Sequence, residues 1–174
     1  AVLPITGSLV NKLTSVQPYS GMTGYNGIIT RMTQAMDDPE VKGVLLDMDT
    51  PGGEVAGCFD TAQKLRTIAS ESGKPLWALA NDMYCSAGMA LASAADHRLI
   101  TQSGIVGSVG VLMAHTNYEK YLKDTGIDVT LIYSGQHKVE GNPYAALPKE
   151  VLERFENSTH ELSQEFAALV AGFT

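Results

Sequence analysis

Apolar and polar residues alternate along the chain in a pattern that predicts strands separated by helices. Short apolar runs bounded by turn residues are typical of strands in a buried parallel sheet. The predicted strands are Val2–Val10, Gly43–Asp49, Pro75–Ala80, His97–Thr101, Val109–Ala114 and Val129–Tyr133. Strands that alternate with helices indicate an α/β layered fold with a mainly parallel sheet flanked by helices.

Five helices are predicted between and after these strands. The first has Ile28, Ile29, Met32, Ala35 and Met36 on one face and ends at Asp37–Pro39; the others are Glu54–Ser70, a small-residue helix ending near Ala95, Asn117–Thr125, and a last helix that opens at Pro148. Proline is favoured at the first position of a helix. No internal repeat or linker interrupts the series, which predicts a single domain over residues 1–174.

The last helix carries an apolar stripe at three- and four-residue spacing. We expect its first half to pack on the protein's own core. Its second half, F-A-A-L-V-A-G-F, is expected to find few neighbours and to remain exposed. Because an exposed apolar stripe favours association, the stripe predicts a homo-oligomer.

Composition narrows the class of protein. The 174 residues are 44% hydrophobic and 18% charged, as in ordinary globular proteins. A net charge of -7 argues against a nucleic-acid partner, and no apolar run reaches the roughly 18 residues that span a bilayer. Two cysteines supply neither a disulfide framework nor a metal-ligand pattern, so we expect a reduced, cytoplasmic compartment. The missing initiator Met suggests a fragment of a longer chain, and the first residues do not have the pattern of a secretory leader.

Two loops at the carboxyl ends of predicted strands are the best candidates for chemistry, because ligands meet parallel sheets at that edge. One is P-G-G, Pro51–Gly53. The other is N-D-M-Y-C-S-A-G, Asn81–Gly88, where Cys85 or Ser86 sits at a strand-to-helix turn. The N–H groups of Gly53 and Ala87 could then form an oxyanion hole. On spacing alone, a plain turn and a helix cap explain the two loops at least as well.

Ser86 is the better nucleophile of the two. Small residues follow it and leave room for a substrate carbonyl, whereas Cys85 follows the bulky Tyr84. Free cysteine is often buried, so Cys85 and Cys58 are both expected to be core residues. Asp47 and Asp49 share one face of a strand, but without a third acidic partner we expect them to be turn and capping groups.

The base that would activate the serine stays open on spacing alone. His97, His115, His137 and His160 are candidates, and His115 at the end of a predicted strand is the best of them. Lys138 in the loop after Tyr133 is the other option. A lysine can act as a base only when burial lowers its pKa toward neutrality.

Four motifs in order carry a family resemblance: L-L-D-M-D-T-P-G-G, N-D-M-Y-C-S-A-G-M-A-L-A-S-A-A-D, G-S-V-G-V and Y-S-G-Q-H-K-V-E-G-N-P-Y. In this order the chain resembles the signal peptide peptidase A family, and most closely its branch that serves capsid assembly in lambda-like phages. The resemblance implies a crotonase-like and Clp-like fold with a Ser–Lys dyad.

Matched residue by residue, the resemblance places the family's nucleophile on Ser86 and its base on Lys138. It places the oxyanion glycines on Gly52 and Gly53, beside Ala87, and a serine that orients the lysine on Ser108. In this family, the serine and lysine can come from neighbouring domains or protomers.

The resemblance implies an ATP-independent serine endopeptidase without metal or cofactor. Expected substrates are extended or unfolded polypeptides, above all capsid or scaffold proteins, cut inside the assembling procapsid in the bacterial cytoplasm. Alternatives are a signal-peptide-type peptidase, a non-catalytic capsid assembly module, and an acyl-CoA enzyme of the same fold.

Overall fold

The computed structural model describes residues 1–173 and contains seven strands and five helices in that range. The strands are β1 Val2–Thr6, β2 Ser8–Val10, β3 Met22–Gly24, β4 Val44–Thr50, β5 Leu76–Cys85, β6 His97–Ile100 and β7 Ile105–Gly107. The helices are α1 Tyr25–Asp37, α2 Cys58–Ser72, α3 Ala87–Ser93, α4 Glu119–Asp124 and α5 Lys149–Gly172.

The central sheet has the parallel order β1-β4-β5-β6, and β7 pairs in parallel with the end of β5. Strands β2 and β3 form a separate two-stranded parallel sheet. The predicted α/β fold with a mainly parallel sheet and flanking helices is therefore confirmed. The chain divides into two compact units, of which unit 1 is Ala1–Gly110 together with the residues from Ser163 onward, and unit 2 is Val111–Leu162. The prediction of a single domain stays a prediction.

The core of unit 1 lies on one face of the central sheet. Every second residue of β4, and of β5 except Asp82, is buried there, including Leu46, Met48, Ala78 and Ala80. Helices α1, α2 and α3 supply the rest of the core with residues such as Ile28, Met32, Leu65 and Leu91. Val2, Trp77 and Leu99 on the alternate positions of their strands are exposed. The strands thus follow the period of a half-buried sheet.

Several element boundaries differ from the sequence prediction. Strand β5 continues through Asn81–Cys85, which were predicted to belong to a loop, so only Ser86 forms the turn before α3. At two other boundaries glycines redirect the backbone. The predicted strand 2–10 is broken at Gly7, whose φ is +71°, and a Cβ there would lie 2.0 Å from the Gly21 carbonyl oxygen. Helix α2 begins at Cys58 rather than Glu54, since Gly53 still bridges to Leu9 and Gly57 has a left-handed φ of +80°.

Helix α5 begins one residue after Pro148, and its C-terminal half corrects the sequence analysis. Phe166 is buried, its ring lies 5.7 Å from that of Phe59, and Leu169, Val170 and Phe173 pack against the core of unit 1. The expectation that this stretch remains exposed is therefore wrong. Its apolar stripe completes the protein's own core, so it no longer supports an oligomer.

Unit 2 contains α4, the first part of α5 and long irregular segments. The predicted strands Val109–Ala114 and Val129–Tyr133 are wrong: neither forms a strand in the structure. A strand needs a neighbouring backbone to pair with, and these segments have no ladder partner within residues 1–173. Their apolar side chains are instead open to solvent, with Leu112 89% and Ile132 96% exposed. None of the helices in the described part of the chain is long and apolar enough to cross a membrane.

Candidate active site

Ser86 occupies the sharp turn between β5 and α3. Its φ of +51° and ψ of -121° lie outside the left-handed helical region, in a conformation that residues other than glycine rarely adopt. The Ser86 N–H donates to the Gly107 carbonyl at 2.9 Å, and the Ser86 carbonyl accepts the Ala90 N–H at 3.1 Å. The predicted position of Ser86 at a strand-to-helix turn is confirmed. Unusual backbone conformations of this kind concentrate at functional sites.

The P-G-G loop lies directly against this turn. Gly52 has a φ of +107°, and a Cβ at that position would be 2.6 Å from the Ser86 Cβ and 3.0 Å from the Ala87 nitrogen. Only a residue without a side chain can approach so closely. The structure therefore brings together Gly52, Gly53, Ser86 and Ala87, four of the residues expected at the site.

Hydrogen bonds fix how the two glycines are turned. The Gly52 N–H donates to the Thr50 hydroxyl at 3.1 Å, and the Gly52 carbonyl accepts the Leu9 N–H at 2.9 Å. The peptide bond between Gly52 and Gly53 is trans, so the Gly53 N–H points opposite to that carbonyl and away from β2. The Gly52 N–H is thus engaged in a hydrogen bond within the protein, while the Gly53 N–H points away from β2.

A buried Tyr–Cys pair lies behind the two loops. The Tyr25 hydroxyl donates to the Glu54 carbonyl at 2.6 Å, and the Cys58 thiol lies 3.9 Å from the Ala87 carbonyl. Burial raises the pKa of the Cys58 thiol to about 11, and burial together with Cys58 raises the pKa of Tyr25. Cys58 lies in the core, as predicted from the sequence. Tyr25 and Thr50 were not predicted at the site, because no local motif marks either residue.

Ser108 follows the carbonyl that holds Ser86. Strand β7 pairs Gly107 with Cys85, and Ser108 comes next with a φ of +55° and an exposed side chain. Cys85 is half-buried rather than a full core residue, and its thiol lies 3.9 Å from the Ile105 carbonyl. The role of Ser108 as a lysine-orienting residue stays a prediction.

Lys138 lies in unit 2, in the loop that precedes α5. Its N–H donates to the Gly135 carbonyl at 3.2 Å, and its side chain is exposed. The neighbouring His137 and Arg154 both contact the Glu140 carboxylate. These contacts anchor the loop but do not bury the Lys138 amine. The role of Lys138 as the base therefore stays a prediction.

The remaining candidate residues have other surroundings. The His97 ring packs edge-on against Trp77 with centroids 5.1 Å apart, and the His115 Nε2 lies 3.0 Å from the Asn142 carbonyl. His137 contacts Glu140 at 2.8 Å, and His160 lies on α5. Asp47 and Asp49 lie within β4 and not in the turn that follows. Residues 1–173 contain no group of three or more His, Cys, Asp or Glu side chains that could hold a metal ion.

Comparison with known proteins places these residues in a family. The model of Peptidase family S49 matches residues 68–173, a range that includes Ser86, Ser108 and Lys138. The chain is 56% identical over all 174 residues to the capsid assembly protease C of Escherichia phage lambda. It is 50% identical over 174 residues to the head-tail preconnector protein GP5 of Enterobacteria phage P21.

A more distant relative is a putative signal peptide peptidase SppA of Enterococcus faecium, which is 26% identical over 146 residues, covering 79% of this chain and 40% of that protein. The chain spans 39% of the length of the lambda protein and 34% of the preconnector protein. These matches confirm the family resemblance that the four sequence motifs indicated. The chain belongs to peptidase family S49.

Proposed function

We propose that this chain is the proteolytic part of a serine endopeptidase in which Ser86 is the nucleophile and Lys138 is the base. The observation that carries the proposal is the geometry of the turn at Ser86. A non-glycine residue with a φ of +51° is held there by the Gly107 carbonyl, with Gly52 packed against it. A strained strand-to-helix turn is a recurring way to expose a nucleophilic serine.

The chemistry assigned to these residues is acyl transfer in two steps. Neutral Lys138 takes the Ser86 hydroxyl proton as the oxygen attacks a peptide carbonyl, and the protonated lysine then gives that proton to the leaving amine. Water hydrolyses the resulting acyl-enzyme. The tetrahedral intermediate carries an oxyanion, for which the Gly53 and Ala87 N–H groups are the proposed donors. Gly52 contributes by its close approach, since its own N–H is bonded to Thr50.

A lysine base must be largely neutral, which requires a desolvated position. Lys138 is exposed in the single chain. The proposal therefore includes a second element that covers Lys138 when the site is assembled, and the proposed lysine-orienting contact from Ser108 belongs to that assembled state. We assign the covering element to a neighbouring copy of this chain, consistent with the exposed apolar segments of unit 2.

The proposed substrates are proteins of phage capsid assembly in extended or unfolded form. The support is the name of the lambda relative, a capsid assembly protease that is identical to this chain at 56% of positions. Since the chain spans less than half of that relative, the activity and partners of the whole protein belong to the proposal as well. The proposed place of action is the assembling procapsid.

The test is covalent labelling with a fluorophosphonate followed by mapping of the modified residue. The expected result is a single phosphonylated serine at Ser86, absent from the Ser86→Ala variant and from heat-unfolded protein. Ser93, which is buried at the end of the helix α3 that follows Ser86, provides a matched control: Ser93→Ala should label like the wild type. Labelling at another residue, or none under conditions where the protein cleaves casein, would exclude Ser86 as the nucleophile.

A further inference from the structure

Thr50 is a buried residue at the end of β4 that connects three parts of the candidate site. Its side chain is fully buried, and it follows an irregularity in the pairing of β4 with β5. The Thr50 hydroxyl donates to the Gly7 carbonyl at 2.6 Å and accepts the Gly52 N–H at 3.1 Å. One oxygen atom therefore ties the end of β1 to the P-G-G loop.

The methyl group of Thr50 reaches the helix that follows the nucleophile. A Cβ on Gly88 would lie 2.6 Å from the Thr50 Cγ2, so this methyl packs directly against the backbone of α3 two residues after Ser86. The two branches of one side chain thus contact both the loop that contains Gly52 and the helix that contains Ala87. No other residue type combines a hydroxyl and a methyl group on the same β carbon.

We propose that Thr50 is a positioning residue for proteolysis, which sets the orientation of the Gly53 N–H relative to Ser86; this inference rests on the proposed function. The Gly52 N–H and the Gly52 carbonyl are held by Thr50 and Leu9 respectively. With both groups of Gly52 fixed, the following peptide plane has little rotational freedom. The hydroxyl is the part that orients the loop, and the methyl fills space beside Gly88.

Two substitutions at position 50 separate the effect of the hydroxyl from that of the methyl. Thr50→Val keeps the shape but removes the hydroxyl, leaving the Gly52 N–H and the Gly7 carbonyl without their partner. Thr50→Ser keeps the hydroxyl and removes the methyl. Because misplacement of a transition-state donor lowers the rate of the chemical step, Thr50→Val should lose about 10- to 100-fold in kcat with little change in KM. Thr50→Ser should restore kcat to within about threefold of the wild type.

Amide hydrogen exchange in the same variants gives a readout that does not depend on catalysis. The Gly52 amide, which loses its acceptor, should exchange faster in Thr50→Val than in the wild type and Thr50→Ser, at a temperature where all three are folded. Equal kcat values for Val and Ser, or unchanged exchange in Thr50→Val, overturn the positioning role. Should the wild type show no labelling at Ser86, the proposed function fails, while faster exchange confined to Thr50→Val still supports the orientation of the loop by Thr50.

Discussion

Gly52 approaches Ser86 so closely that a Cβ on the glycine would lie 2.6 Å from the Cβ of the serine. The same added atom would be 2.9 Å from the Cys85 carbonyl oxygen, which belongs to the backbone and cannot rotate away. Gly52 and Ser86 are 34 positions apart in the sequence, and the backbones of their two segments are thus packed directly together. Any side chain at position 52 must push the P-G-G loop and the Ser86 turn apart.

The first prediction is that Gly52→Ala abolishes measurable proteolysis while the protein still folds. Two effects disfavour alanine at position 52. Its Cβ would collide with the Ser86 turn, and alanine rarely adopts a φ of +107°. Gly73→Ala is the matched control: Gly73 also has a positive φ, of +65°, but nothing lies within 4 Å of its added Cβ. It should lose about 1 kcal/mol of stability and retain its activity. Circular dichroism and thermal melts measure the folding and stability of the two variants, and cleavage of a denatured protein measures their activity. An active Gly52→Ala variant would contradict the close packing.

The second prediction uses the different surroundings of the two cysteines. Burial raises the pKa of Cys58 from 9.0 to about 11, so the thiolate that reacts with maleimides is scarce at pH 8. Native protein should label at the half-buried Cys85 and not at Cys58, and both should react in urea. Mass spectrometry of tryptic peptides distinguishes the sites, and fast native labelling of Cys58 would show that α2 opens readily.

Cys58 also predicts a pH dependence of stability. In the unfolded chain the thiol loses its proton near pH 9, whereas in the folded protein it keeps the proton to about pH 11. The contribution of the protonated Cys58 thiol to the free energy of unfolding is therefore complete below pH 9 and is lost as the pH rises through about 11. Urea midpoints of Cys58→Ala should fall less steeply over this range than those of the wild type. Parallel slopes for the two proteins would argue against the buried, protonated thiol.

Features of the fold and the site that depend on local sequence could be predicted, whereas those that depend on contacts between distant residues could not. The parallel α/β order follows from alternating apolar patterns, and the position of Ser86 follows from a small-residue helix directly after a strand. Val109–Ala114 and Val129–Tyr133 carry an equally good strand pattern but form no strand, because periodicity does not say which backbone will pair with them. Phe166 was expected to be exposed but is buried, because the helical pattern does not say which part of the fold will cover it.

The supporting residues of the site were missed for a related reason. Thr50 and Tyr25 act through hydrogen bonds to backbone groups of residues that are distant in sequence, such as Gly7 and Glu54. A carbonyl group accepts a bond irrespective of its side chain, so no residue pattern in the partner marks the contact. The sequence located the glycines and the serine, and only the fold shows what holds them in place.

The third prediction distinguishes Lys138 from His115 as the base. Lys138→Ala should abolish proteolysis, whereas His115→Ala should retain most of it, because the His115 ring is already engaged with the Asn142 carbonyl. Since only a neutral amine accepts a proton, wild-type activity should rise between pH 6 and 9 when chemistry is rate-limiting. Loss of activity in the histidine variant alone would point to a Ser–His mechanism, and a flat profile between pH 6 and 9 would count against a lysine base.

The last prediction concerns the number of chains needed for one working site. Lys138 is exposed in the single chain, and the apolar segments around Leu112 and Ile132 have no strand partner within the described residues. Both features are expected if a neighbouring copy covers them. We therefore expect an oligomer in which Lys138 of one chain serves Ser86 of the next, and light scattering at tens of micromolar should show it.

Complementation tests this arrangement directly. Ser86→Ala and Lys138→Ala should each be inactive alone. Unfolded and refolded together in equal amounts, they should regain about a quarter of the wild-type sites, because a site works only when its serine and its lysine both come from an intact position. Refolding each variant alone controls for the procedure. A different affinity tag on each variant identifies oligomers that contain both. If these mixed oligomers remain inactive, both residues of a site come from one chain.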